Sequence, residues 1–116
     1  MRDLATSVSF YESLLDAHPM GTMSDGPFTR RVLDLPGPTH LGLTQHDTAS
    51  GLDFDPTTPG LDHLGFACAS REVLTKWAEH LDGLGVSHSG VQDAAYGSAL
   101  SFRDPDGNAL EFFASA

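Results

Sequence analysis

The sequence predicts an α+β fold made of two βαβββ modules, the first short of its leading strand. Three observations carry this. Each half contains one stretch with apolar residues at helical spacing. In each half that stretch is followed by three short segments with the period-two alternation of strands. Between the halves, residues 46–60 (HDTASGLDFDPTTPG) are polar, acidic and rich in Gly, Pro and Thr, after which the pattern restarts. The halves share little residue-level identity; the repeat lies in the order of their elements.

In order, residues 4–16 read as a helix, because Leu4, Val8, Tyr11, Leu15 and Phe10, Leu14 recur three and four apart. Thr6 or Ser7 can cap its start, and Pro19 lies just beyond its end. Met20 to Met23 form a short strand, and Asp25-Gly26-Pro27 a turn. Residues 28–35 (FTRRVLDL) form a second strand, closed by Pro36-Gly37-Pro38. Residues 39–45 form a third, with Leu41 and Leu43 on one face and His40, Gly42 and Thr44 on the other.

After the linker, residues 61–68 (LDHLGFAC) read as a strand. Ser70 is an N-cap for a helix over 71–83, whose apolar face is Val73, Leu74, Trp77, Ala78 and Leu81; Gly83 and Gly85 end it. Val86 to Val91 form a short strand. Residues 98–103 and 108–113 form a hairpin around Asp104-Pro105-Asp106-Gly107, a tight-turn sequence.

Composition bounds the function. At 116 residues the chain has room for one domain, with residues 1–45 as the first module and 61–116 as the second. Six Lys and Arg against sixteen Asp and Glu give a net charge of −10, which argues against nucleic acid and against an anionic membrane surface. No apolar run approaches the roughly 20 residues of a membrane span, and the first residues lack the apolar core of a signal peptide. Cys68 is alone, so no internal disulfide forms, and a reducing cytoplasm is the expected location.

Three segments resemble one family. Asp3-Leu4-Ala5-Thr6-Ser7 with Phe10-Tyr11 and Leu14-Leu15 is similar to the opening helix of the vicinal oxygen chelate superfamily, the glyoxalase, bleomycin-resistance and extradiol-dioxygenase group. Leu61-Asp62-His63-Leu64-Gly65-Phe66 resembles the strand that opens its second module. The run from Phe102 through Asp104-Pro105-Asp106-Gly107-Asn108 to Glu111-Phe112-Phe113 resembles its last hairpin. The resemblance spans essentially the whole chain. It implies paired modules whose sheets curl around a cleft, a divalent metal in that cleft, and ligands from the first and last strands of each module.

Carried over, the resemblance makes His63 and Glu111 metal ligands. Glu111 doubles as the proton shuttle in glyoxalase-like chemistry. The first strand, which usually brings a His, is missing, and the position that is Glu in glyoxalase I-like members falls on Gly42. His40 faces the same way as Gly42 and is a possible third ligand. Imidazole plus carboxylate suits Fe, Mn, Ni, Zn or Co without choosing among them. Alternation sends Arg30 and Arg31 to opposite faces, so one of them can meet an anionic substrate; Tyr96 can line the cleft from the loop before the final hairpin.

The plain alternatives stay open beside these. His63 and Glu111 are 48 positions apart and form no local ligand motif, so a structural hydrogen-bonded pair explains them too. His18, His46, His80 and His88 read as loop or helix-surface residues, Trp77 as packing and Cys68 as core rather than nucleophile. Two functions are therefore carried forward. One is a metal-dependent enzyme, a lyase of glyoxalase I type or an extradiol dioxygenase, acting on a small molecule with vicinal oxygens. The other is a metal-free binder that sequesters a small molecule, as in the bleomycin-resistance branch. The missing strand also allows an inactive, truncated form of a longer protein, and an open sheet edge predicts a homodimer.

Overall fold

The computed structural model describes residues 1–24 and 26–116; the Asp25 position of the expected turn lies outside the described residues. The elements run α1 (Leu4–Leu15), β1 (His18–Met23), β2 (Phe28–Leu35), β3 (Thr39–His46), β4 (Leu64–Ala67), α2 (Arg71–Gly83), β5 (His88–Ala94), β6 (Gly97–Arg103) and β7 (Ala109–Ser115). They fall into two compact units, Met1–Asp53 and Phe54–Ala116. Among the described residues, no helix is long and apolar enough to cross a membrane.

The first unit is a helix on an antiparallel sheet of order β1-β2-β3. Helix α1 starts one turn earlier than Thr6 or Ser7 would set it. Asp3 is the N-cap, its Oδ1 accepting from the Thr6 amide at 3.1 Å, and Ser7 is buried instead. The helix ends at Asp16, which takes the left-handed conformation at φ 49°. Val8, Tyr11 and Leu14 bury against Leu33 and Leu43, the inward residues of β2 and β3. Strand β1 begins at His18, two residues before the expected start. Pro19 lacks an amide proton, yet β1 is an edge strand with a bulge between Pro19 and Gly21, where the ladder tolerates that loss. Residues 1–3 form no strand ahead of α1.

The second unit packs α2 on a mixed sheet of order β4-β7-β6-β5, in which β4 runs parallel to β7. Leu74 and Leu81 of α2 are fully buried, as are Leu100, Leu110 and Phe112 beneath the helix. Trp77 stacks on Phe112 with ring centroids 4.2 Å apart, so its role is packing. Ser70 takes the N-cap position without a side-chain cap bond, and Gly85, at φ 71°, turns the chain after the helix. Strand β4 is half the expected length. Its parallel register pairs Leu64 with Leu110, so residues 61 and 62 would need partners in the turn before Ala109, where no strand exists. Strand β5 runs later than expected, from His88 to Ala94. The turn between β6 and β7 is organised by buried Asp104, which accepts from the amides of Asp106 and Asn108 at 2.9 Å and from Asn108 Nδ2 at 2.8 Å.

Candidate functional site

The face of the second sheet turned away from α2 can be read from strand register. Opposed residues share a face, so Gly65, Glu111 and Ser101 form one row across β4, β7 and β6. Ala67, Phe113 and Ala99 form the next row. Ala109 and Arg103 form the row on the other side, and His63, one residue ahead of β4, continues it past Ala109. Glu111 thus projects between small neighbours, as its alternation with Leu110 and Phe112 predicts. His63 reaches the same face, one row along, from outside the strand, half exposed.

His63 is held by the residue before it. Its Nδ1 lies 2.8 Å from Asp62 Oδ2. A carboxylate only accepts, so the Nδ1 proton faces Asp62 and Nε2 is the ring nitrogen left to bind. The Asp62 hydrogen bond raises the His63 pKa above the ordinary imidazole value; slight burial opposes this, and the charges of Glu111 and Asp62 add to it. By register, His63 stands beside Ala109, two residues along the same strand face from Glu111.

Both residues line an open concavity of about 650 Å³. Its wall also carries Ser101, Arg103, Ser89 and His88. Ser89 Oγ accepts from the Ser101 amide at 3.0 Å and donates to the Gly90 carbonyl at 2.6 Å. His88 is committed at both nitrogens: Nδ1 accepts from the Gly90 amide at 3.0 Å, and Nε2 donates to Asp82 at 2.8 Å. It holds the β5 bulge rather than a ligand.

The other candidates separate. His40 lies on the first sheet, exposed, its Nδ1 3.3 Å from Asp34, which is directly opposite on β2. Among the described residues, no three His, Cys, Asp or Glu side chains converge on one metal position. Arg30 and Arg31 do point to opposite faces. Arg30 takes the face away from α1, donating to Thr44 Oγ1 at 2.8 Å and lying over the Phe28 ring at 5.0 Å. Arg31 turns to the helix side, where its Nε is buried without a hydrogen bond. Tyr96 is 76% exposed and stacks on Phe113, two residues along β7 from Glu111.

His18, His46 and His88 lie on strands rather than in loops, while His80 sits on α2 against Trp77. The Cys68 thiol is pushed up in pKa by burial, away from a reactive thiolate, with a Trp77 contact opposing. Sequence reasoning passed over Asp62, Ser101 and Arg103. Adjacency to His63 marks the first, and the alternation of SALSFR puts the other two on one face.

The donor set fits a divalent cation in kind: one oriented imidazole, one carboxylate and an outer carboxylate fixing the imidazole. It supplies two protein donors, leaving the other positions to groups beyond this pair.

This α-on-sheet architecture, twice over, is that of a known class. The chain belongs to the Glyoxalase/Bleomycin resistance protein/Dioxygenase superfamily, whose family model it matches over residues 1–112. Among solved structures it is similar to a glyoxylase/bleomycin resistance protein/dioxygenase domain from Frankia sp. EAN1pec, at 33% identity and TM-score 0.93, covering 100% of this chain and 86% of that one. It shares its fold with the fosfomycin resistance protein FosX from Listeria monocytogenes complexed with Mn(II) and sulfate (18% identity, TM-score 0.70, 100% and 86% covered). It shares it also with lactoylglutathione lyase from Agrobacterium tumefaciens (18% identity, TM-score 0.73, 97% and 86% covered). Comparison with curated proteins gives no match.

Proposed function

We propose that this chain is a metal-dependent enzyme acting on a small molecule with vicinal oxygens, with His63 and Glu111 holding one divalent cation. The observation that carries this reading is the pair itself. Asp62 orients His63 so that Nε2 is left to bind, and Glu111 stands on the adjacent strand within electrostatic reach. A cation held there would supply Lewis acidity to a bound oxygen. The chain's own residues do the rest. Asp62 fixes the imidazole tautomer. Glu111 is the carboxylate placed to take a proton from the substrate and return it. Ser101, opposite Glu111, offers a hydroxyl to orient what binds.

His40, on the first sheet, stays outside this donor set, which is built from the second unit alone. Fe, Mn, Ni, Zn and Co all suit the pair. Mn(II) is the first to try, since the FosX structure contains it. The reaction is either a glyoxalase I-like lyase step or an extradiol dioxygenase-like one. A screen of 2-oxoaldehyde–thiol adducts and catechols, with and without EDTA, tests both. Turnover lost on chelation and restored by one cation supports the reading.

The second reading is a metal-free binder using the same concavity. Among the described residues no third donor joins the pair, and polar Ser89 and Ser101 line the wall, which suits ligand capture without chemistry. Ligand affinity unchanged by EDTA, with no turnover, would establish it. We further place the protein in the cytoplasm as a homodimer in which the two units act as one domain. The edges β1 and β3 of the first sheet are the surfaces open to a partner chain. Sedimentation at micromolar concentration should give a dimer; a monomer would contradict this.

A further inference from the structure

We propose that Arg103 reads the charge of the substrate, and that the substrate is a small oxyanion, a carboxylate or phosphonate, joined to the oxygens that meet His63 and Glu111. This deepens the proposed function and rests on its choice of site. Four observations carry it.

The first is register. Arg103 lies directly opposite Ala109, and His63 continues that row on the other side. Neighbouring strands are about 4.8 Å apart, so a span of roughly 10 Å separates the His63 and Arg103 positions, with only the Ala109 methyl between them. Glu111 is diagonal to Arg103, at about 7–8 Å between backbones, well within reach of a long side chain. A molecule engaged at His63 and Glu111 therefore extends across Ala109 towards the guanidinium.

The second is charge. Among the described residues, Arg103 is the sole Lys or Arg lining the concavity, in a chain with six Lys and Arg and sixteen Asp and Glu. A cation kept beside the site is not the background of this surface.

The third is its bonding. Arg2 and Arg71 pair with Asp53 and Asp93. Arg103 instead donates from Nη1 to a neutral acceptor, the Gly107 carbonyl, at 2.7 Å. That bond ties its head to the turn and uses one of five guanidinium donors.

The fourth is chemistry. A planar fork of N–H donors matches the paired oxygens of carboxylate and phosphonate, and a neutral diol offers no such match.

The test uses the full chain with Mn(II) and three probes sharing one diol: 3,4-dihydroxybutyrate, 2,3-dihydroxypropylphosphonate and uncharged 1,2-butanediol. Mn(II) uptake and thermal midpoint are recorded first for wild type, Arg103→Gln and Arg103→Lys. Dissociation constants then come from NMR titration, with and without the metal. Wild type should bind at least one anion about ten times more tightly than butanediol. Arg103→Gln should abolish that preference, Arg103→Lys should keep part of it, and Mn(II) uptake and thermal midpoint should not change. Whichever anion shows the larger loss in Arg103→Gln identifies the substrate's acid group. Anions binding no better than the diol, or a preference surviving in Arg103→Gln, would overturn the proposal. If wild type takes up neither Mn(II) nor Fe(II), Co, Ni or Zn, the metal reading falls by itself, and the titrations without metal still decide the role of Arg103.

Discussion

Asp62 and His63 show how much a single neighbour can do. The carboxylate lies 2.8 Å from Nδ1, so it fixes the ring and leaves Nε2 as the donor. Outer partners of this kind change metal affinity by about 10–100-fold in known sites. Asp62→Asn should therefore weaken metal binding to that extent at constant pH, read by competition against a chromophoric chelator, while the thermal midpoint stays put. An unchanged affinity would mean that His63 is not a ligand. Gly97 makes a second residue-scale case. At φ 151°, a Cβ there would run into the Ala114 carbonyl oxygen and come within 2.7 Å of Phe113 Cζ. Gly97→Ala should destabilise the chain by about 3 kcal/mol in urea denaturation, since both backbone strain and overpacking arise. A loss below 0.5 kcal/mol would show that the hairpin gives way cheaply. The faces of Glu111, Arg30 and Arg31 were legible in the sequence, because strand alternation is local. The place of His63 was not. Whether residues 61–63 join a strand depends on a parallel partner that begins nearly fifty positions later.

At the scale of elements, α2 is tied to the β5–β6 hairpin by charge. Arg71 donates from Nε and Nη2 to the two Asp93 oxygens at 2.7 and 2.9 Å, and Ser98 Oγ donates to Oδ1 at 2.6 Å. The Arg71 hydrogen bonds, then that from Ser98, hold the Asp93 carboxyl at about 2, well below its usual 3.8. A lowered carboxylate pKa means that its stabilising share is complete above pH 3.8 and is lost as pH falls towards 2. Urea midpoints of wild type and Asp93→Asn should differ at pH 5 and converge by pH 2; a constant difference would contradict the assignment. The exposure of the pair keeps the effect small. Helix α2 was read to its final boundaries because Ser70, the apolar stripe and the glycines after it agree. Strand β1 was underestimated because Pro19 argues locally against a strand, whereas an edge with a bulge accepts it. The cap at Asp3 was overlooked for Thr6 and Ser7, since periodicity alone does not say where the first turn closes.

Across the whole chain, the two units repeat a helix over a sheet, and the second keeps the strand β4 whose counterpart the first lacks among the described residues. That order was visible from the amphipathic stretches and the linker, and the family match over residues 1–112 agrees with it. What sequence could not supply was convergence. His40 alternates with Gly42 as expected, and its Nδ1 lies 3.3 Å from Asp34 on the neighbouring strand, a contact that spacing alone does not reveal. Cross-strand pairing, not spacing, decides which polar groups meet. The central claim is that His63 and Glu111 together hold one divalent cation. Elemental analysis of the purified chain after loading with Mn(II), Ni, Zn, Co or Fe(II) tests it most directly, with His63→Ala and Glu111→Ala measured alongside. The account predicts close to one metal per chain for at least one cation, lost in both variants while each remains folded. Metal retained in both variants, or no uptake of any cation by the wild type, would contradict it.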